Sequence, residues 1–326
     1  MDTKKLAYFR AGQFLSLKVN INGTYITRPY SISSSPSDAL RGFYQITIRK
    51  EKNGFLTNYI WNNWKIGTNV ISSGPSGYFY YDSIRDSKEI IGIAGGSGIT
   101  PFRSIAKEIM EGKLNISLIL FYGSSDEEDI LFYDEFKEYE KRHPEKIKII
   151  HVLSCDEISL KGCEQGFITT EIMRKYCDFS NSSVFICGPQ IMYDFIDKEL
   201  RKIKIPVNKI RKEIFGEIKD VVSLPGYPKN MADKTFKIKV KIGNQSKEIP
   251  ANAYESILVA MERAKLAPPS VCRSGQCGFC RSALISGEIY INPKSDGRRA
   301  ADKLLNYFHS CSSYPLSDLE IEVPRS

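Results

Sequence analysis

Cys272, Cys277 and Cys280 share one loop, at spacings of x4 and x2, and Cys311 follows thirty residues later. Four thiolates can hold a zinc ion or an iron–sulfur cluster. Zinc sites usually pair two short C-x2-C knuckles. Three cysteines on one loop with a distant fourth is the plant-type spacing of a [2Fe–2S] cluster. Gly275 and Gly278 let the backbone wrap tightly round the sulfurs, and loop N–H groups aimed at sulfur tune such a centre. Arg273 and Ser274 lie in the same turn. His309 precedes Cys311 in H-x-C order, which is not the order of a Rieske site, so it reads as a packed or surface residue. Cys155, Cys163 and Cys177 lack ligand spacing and read as buried free thiols.

A second chemistry-bearing stretch is GIAGGSGITP, Gly92 to Pro101. It follows the apolar run KEII and opens a helix. Gly95, Gly96 and Gly98 let the backbone approach a pyrophosphate, and the helix start at Thr100 and Pro101 favours its charge. The 2′ group of an adenosine is read about 20 residues later. There the chain is FYGSSDEED, with no Lys or Arg between Phe121 and Phe136. Asp126, Glu127 and Glu128 suit a free ribose hydroxyl, hence NADH over NADPH; the alternative is that they cap the next helix.

The elements that must position these loops follow from pattern. The chain has 326 residues, 42% hydrophobic and 26% charged, with no apolar run long enough for a membrane span. The net charge is +8, but no basic run or aromatic–basic interleaving of a nucleic-acid module occurs. QFLSLKVNI, TYITRPYSI, GFYQITIRK and TNVISSG read as antiparallel strands of a barrel. From residue 88 to 215 strands alternate with helices of about 10–15 residues, the rhythm of βαβ units and a parallel sheet. KDVVSLPGYPKNMADK reads as a linker. TFKIKVKIG, SKEIP and a helix at ESILVAMERAK then lead to the cysteine loop. The expected fold is multidomain: an antiparallel β-barrel over 1–84, an α/β parallel-sheet domain over 85–218, a linker over 219–233 and an α+β β-grasp domain over 234–326.

Arg28-Pro29-Tyr30-Ser31, the GQF run from Gly12 to Phe14, Gly54-Phe55-Leu56-Thr57, the GPSG turn, Cys187-Gly188-Pro189 with Met192, and Glu213-Ile214-Phe215 stand in one order along the chain. With GGSGITP they resemble the ferredoxin–NADP reductase superfamily of flavoproteins. The order flavin–nicotinamide–ferredoxin resembles the phthalate dioxygenase reductase arrangement, also seen in other oxygenase reductases and in hybrid-cluster-protein reductases. The resemblance implies that Arg28 binds the flavin phosphate, that Tyr30, after Pro29, lies against the isoalloxazine, and that Ser31 hydrogen-bonds near its N5. Gly54, Leu56 and Thr57 would support the pyrophosphate of FAD, with FMN the alternative. Gly95, Gly96, Gly98, Thr100 and Pro101 would hold the nicotinamide nucleotide. Gly188, Pro189 and Met192 would lie near the nicotinamide, with Cys187 lining the pocket and Phe215 covering the flavin ring.

Ser31, Cys187 and Phe215 are thus the expected catalytic positions, and Cys272, Cys277, Cys280 and Cys311 the expected cluster ligands. The implied activity is an NAD(P)H-dependent oxidoreductase that moves electrons from NADH through flavin to the cluster. From there they reach a separate protein acceptor such as an oxygenase. A module of a larger complex or redox sensor, completed by another chain, is the alternative. The expected compartment is the cytoplasm, where thiols stay reduced. Two features depart from the family. Only Met1 to Ala11 precede GQF, so the barrel is expected to have an open or substituted edge. From Asn230 to Ser326 there are 14 Lys/Arg against 10 Asp/Glu, a net of +4, whereas many plant-type ferredoxins are acidic.

Overall fold

The computed structural model describes residues 6–52, 54–218 and 220–324. Met1–Lys5, which the open-edge expectation also concerns, and Lys219, the first linker residue, lie outside them. The chain separates into two compact units. One comprises the residues up to Leu15, Tyr30–Asn63 and Gly74–Ile214; the other comprises Ser16–Pro29, Trp64–Ser73 and Phe215–Ser326.

The amino-terminal region forms β1 (Phe14–Ile21), β2 (Thr24–Ser31), the short helix α1 (Pro36–Leu40), α2 (Phe55–Asn63) and β3 (Ile71–Ser72). β1 and β2 are joined by Asn22 and Gly23, both at positive φ (53° and 82°), the signature of a tight hairpin turn. The described strands of this region form a three-stranded sheet, in the order β2-β1-β3, with isolated bridges at Phe14–Ser76 and Ile32–Ile46. GFYQITIRK forms no named strand. Its polar backbone is met otherwise: Ser33 N donates to Gln45 O, and Gln45 N donates to Ser34 Oγ.

The first unit also holds a parallel sheet built from β4 (Glu89–Gly95), α3 (Thr100–Met110), β5 (Ser117–Ser124), α4 (Tyr133–Arg142), β6 (Ile147–Leu153), β7 (Glu164–Gln165), α5 (Thr170–Arg174), β8 (Ser182–Cys187), α6 (Gln190–Arg201) and β9 (Ile210–Glu213), whereas most of β1, β2 and β3 belongs to the second unit. Its order is β7-β6-β5-β4-β8-β9, and every described pairing is parallel. Ile90, Ile91, Ile93, Phe121, Val184 and Phe185 are fully buried, as strands covered on both faces require. The chain winds one way from β4 to β7 and the other way from β8. The crevice of such a sheet opens at the carboxyl ends of β4 and β8.

The second unit carries β10 (Thr235–Ile242), β11 (Gln245–Asn252), α7 (Ile257–Arg263), β12 (Arg281–Ser286), β13 (Ile289–Ile291), α8 (Ala300–Leu304), β14 (Tyr307–His309), β15 (Ser313–Pro315) and β16 (Leu319–Val323). A mixed sheet, β11-β10-β16-β12-β14, has β10 and β16 parallel at its centre, and α7 packs its apolar face on it through Ile257, Leu258 and Met261. The linker is pinned rather than loose. Val221 and Tyr227 are buried with Tyr290 and Tyr314, and the Tyr290 hydroxyl donates to Pro225 O at 2.9 Å. Among the described residues no helix is long and apolar enough to cross a membrane.

Candidate functional site

The glycine loop lies where the sheet places it. β4 ends at Gly95, a 3₁₀ turn covers Gly96–Ile99, and α3 starts at Thr100 with Pro101 in its first turn. Gly96 has φ +51°. A Cβ at Gly98 would lie 2.0 Å from the Cys187 carbonyl oxygen, and one at Gly95 only 2.7 Å from Met192 Sδ and 2.9 Å from Pro189 Cδ. Gly188 is equally filled by Met192. The GGSGITP and CGPxxM segments are therefore one packed unit at the ends of neighbouring strands. A missing Cβ at each close approach leaves backbone N–H groups able to meet a ligand.

Beside this pair, Cys187 and Glu213 face each other across β8 and β9. The Ser31 hydroxyl donates to Glu213 Oε2 at 2.7 Å, and all three residues are buried. The Glu213 carbonyl accepts the Tyr193 hydroxyl. Burial pushes the Glu213 carboxyl up to about 8, and the Ser31 hydroxyl pulls it back only in part. Burial, then the neighbouring Glu213, pushes the Cys187 thiol well above its ordinary range. Sequence reading placed Glu213 in a motif but gave it no role; its burial against the Ser31 hydroxyl is visible only once β9 is seen beside Ser31.

Arg49 was also missed. It reaches Asp129 at 2.7 Å, and its guanidinium lies 3.4 Å from where a Gly96 Cβ would stand. A cation thus meets the acidic segment from a strand-like stretch far upstream, outside the window read for 2′ specificity. The acids do not cap α4, which begins after Phe132. Glu127 instead accepts from Ser159 N, Ser159 Oγ and Leu160 N.

Of the expected flavin residues, Tyr30 is half-buried and Ser31 buried in the first unit. Gly54 caps α2, and a Cβ there would lie 2.2 Å from Thr57 Oγ1, which itself accepts from Glu51 N. Leu56 is buried and offers a ligand only its backbone. In the second unit, Arg28 donates to Thr27 O, Pro29 is buried, and Phe215 is half-buried.

The four cluster cysteines come together in the second unit as two pairs. Cys280 Sγ and Cys311 Sγ are 3.3 Å apart, and Cys277 hydrogen-bonds Cys272. That hydrogen bond is the largest cause holding the Cys272 thiol down at about 5, and Cys311 likewise lowers Cys280. Three backbone N–H groups point at sulfur: Gly275 to Cys311 (3.2 Å), and Cys277 and Ser274 to Cys272 (3.4 and 3.5 Å). Among the described residues no three His, Cys, Asp or Glu side chains converge on a point fit for one ion. The Ser274 hydroxyl is buried beside Cys272 and helps lower its thiol. The paired thiols and the N–H groups aimed at them suit a two-iron, two-sulfide group. His309, which the sequence left as packed or surface, is buried, its Nδ1 2.6 Å from Gly275 O. Cys155, Cys163 and Cys177 are free and half-buried rather than buried.

Arg273 stands in this loop at φ +57° with its side chain 1% exposed. Its guanidinium meets Glu262 of α7 at 2.5 and 3.0 Å and Glu217 at 2.5 Å. Burial raises Glu217, while Arg273 and then Arg28 draw it down. Glu217 therefore feels both the cluster-loop arginine and the arginine of β2. The Ser16 hydroxyl of β1 adds a buried bond to Val271 O at 2.9 Å.

Comparison with known proteins agrees with this anatomy. Residues 2–81 match the oxidoreductase FAD-binding domain, 93–198 the oxidoreductase NAD-binding domain and 240–316 the 2Fe-2S iron-sulfur cluster binding domain. The chain is 24% identical over 331 residues to the glycine betaine monooxygenase reductase subunit of Chromohalobacter salexigens, covering 98% of this chain and 89% of that protein. It is 27% identical over 320 residues to the 3-ketosteroid-9-alpha-monooxygenase ferredoxin reductase component of Mycobacterium tuberculosis, covering 97% and 85%. The solved structure of phthalate dioxygenase reductase is similar at TM-score 0.67 and 27% identity, over 99% of this chain and 90% of that one. The protein is an NAD(P)H-dependent oxidoreductase that carries FAD and a [2Fe–2S] cluster. The chain belongs to the ferredoxin–NADP reductase superfamily of flavoproteins, in the form that ends in a [2Fe–2S] ferredoxin domain.

Proposed function

We propose that the chain is the NADH-specific reductase of an oxygenase-type system, working in the cytoplasm. The observation that carries the electron path is the tie in the second unit between the flavin strands and the cluster loop: the Ser16 hydroxyl on Val271 O, with Glu217 paired to Arg273 and drawn down by the charge of Arg28. The thiols must stay reduced to bind the cluster, which suits a reducing compartment.

FAD supplies two-electron acceptance from a nicotinamide and one-electron release to the cluster. The residues do the placing. Gly95, Gly96, Gly98 and the start of α3 at Thr100 and Pro101 receive the NADH pyrophosphate, with Arg49 beside them. Gly188, Pro189, Met192 and Cys187 would line the nicotinamide site. Arg28 would hold the flavin phosphate and Gly54 and Thr57 the pyrophosphate, while Tyr30 and Phe215 would lie toward the ring and Phe215 would give way to the nicotinamide. Ser31, which donates to the buried Glu213, would hydrogen-bond near the flavin N5. Cys272 and Cys277 would hold one iron, and Cys280 and Cys311 the other. Asp126 to Asp129 favour the free ribose hydroxyl of NADH; Asp129 neutralises the one cation described against them.

Anaerobic titration with NADH tests this. Wild type should bleach both flavin and cluster. Cys272→Ser should bleach flavin and show no reduced-cluster resonance. NADPH should give a kcat/KM roughly tenfold or more lower, since each 1.4 kcal/mol of lost contact is a factor of ten. Cluster reduction surviving in Cys272→Ser would sink the ligand assignment.

A further inference from the structure

The cluster loop has two unlike sides. On one, Val271 is tied to β1 and Arg273 to Glu217, and Cys272, Cys280 and Cys311 are at most 5% exposed. On the other, Cys277 is partly open, Gly278 follows, and Phe279 projects at 60% exposure. Electrons can leave to a protein acceptor only where it can come close, and that is the Cys277–Phe279 edge.

What surrounds this edge is positively charged. A Cβ on Gly297 would lie 2.4 Å from Gly275 O, so the 293–299 loop packs directly on the cluster loop. That loop brings Arg298 and the exposed Arg299. α8 brings Lys303, 52% exposed, and the exposed Leu304, with Leu305 just beyond. β12 opens with Arg281, 48% exposed. The acids of the same stretch are turned inward. Asp296, 13% exposed, accepts Arg298 and Lys303; Asp302, 10% exposed, accepts Arg281. Four cations against two inward-turned carboxylates, around an exposed phenylalanine and two leucines, form an apolar centre with a basic rim. Docking surfaces are built this way, the rim steering encounter and fixing orientation.

We propose that the electron acceptor docks on the Cys277–Phe279 edge through an acidic surface of its own, opposite in sign to the docking of acidic plant-type ferredoxins. Each NADH, oxidised to NAD⁺ and one proton, reduces two such acceptors by one electron each. This rests on the reductase function proposed above.

The test uses the full holoprotein and one haem acceptor in two charge states, native basic cytochrome c and cytochrome c made acidic by succinylation of its lysines. At low ionic strength the acidic form should be reduced roughly tenfold faster, because steering changes association by about 10–10³. The preference should collapse as salt shortens the screening length. Arg299→Glu should cut the preference severalfold while the rate of cluster bleaching by NADH is unchanged. Phe279→Ala should slow both cytochromes with the cluster resonance intact. Equal or faster reduction of native cytochrome c, or an Arg299→Glu variant with the wild-type salt dependence, overturns the proposal. A cluster that NADH never reduces fails the reductase reading instead, and direct cluster bleaching tells the two failures apart.

Discussion

Glu213 and Glu217 lie four residues apart in the chain, and burial pushes both carboxyls up, yet they end in opposite situations. Glu213, at the end of β9, meets the Ser31 hydroxyl and, among the described residues, no cation, and stands at about 8. Glu217 meets the guanidinium of Arg273 and the charge of Arg28, which oppose its burial. The first is a carboxyl that holds its proton near neutral pH; the second is one arm of an ion network that clamps a loop. The contrast shows that burial alone does not define a site. The partner decides whether a buried acid stores a proton or fixes a backbone.

The largest break in this contrast comes from Arg273→Ala. It strands two carboxylates, and removing one partner of a buried ion pair costs about 3–5 kcal/mol. It also frees a loop residue held at φ +57°. We expect thermal unfolding at lower temperature and iron per chain well below wild type, while Glu217→Gln, which keeps a hydrogen-bonding side chain, loses less of both. Full iron loading with an unshifted resonance in Arg273→Ala would mean that the clamp is irrelevant to the cluster.

The next effect sharpens the comparison from the other side. Glu213 is held above the ordinary carboxylate value of about 4.3, so between about pH 4 and about pH 8 the folded protein keeps a proton the unfolded chain has released. Stability therefore falls as pH rises through that window, by up to about 1.4 kcal/mol per pH unit, and levels off above it. Glu213→Gln, uncharged throughout, should flatten that component of the profile in denaturant unfolding at pH 5, 6.5 and 8. An unchanged slope would show that Glu213 is ionised.

The same contrast shows what a sequence carries. The glycine loop, the CGP segment and the cysteine spacing were legible because each meets its ligand through backbone or through one residue type at fixed intervals, and the structure packs Gly95, Gly98 and Gly188 against Cys187 and Met192. The parallel sheet was legible in its apolar runs. GFYQITIRK alternates like a strand but forms no extended ladder: Gln45 N donates to the Ser34 hydroxyl, Gln45 O accepts from Ser33 N, and Arg103 holds the Gln45 side chain. Arg49, Glu217 and the tyrosine-packed linker act across dozens of residues, and no local period records such a contact.

The smallest expected effect, from Ser31→Ala, isolates the proton. A hydroxyl has one hydrogen, and here Ser31 gives it to Glu213 Oε2. A protonated Glu213 can donate in its place, which releases the Ser31 hydrogen toward whatever lies in front of it. Removing the hydroxyl takes away the one group that lowers Glu213, so the carboxyl rises further and the upper end of the falling stability window moves above about 8. The loss of a single buried hydrogen bond costs about 1 kcal/mol. Ser31→Thr, which keeps the hydroxyl, should restore both the window and the NADH-dependent bleaching of the flavin. If Ser31→Ala leaves the window in place, the serine is only a neighbour of Glu213, and Tyr193 or the backbone must set its protonation.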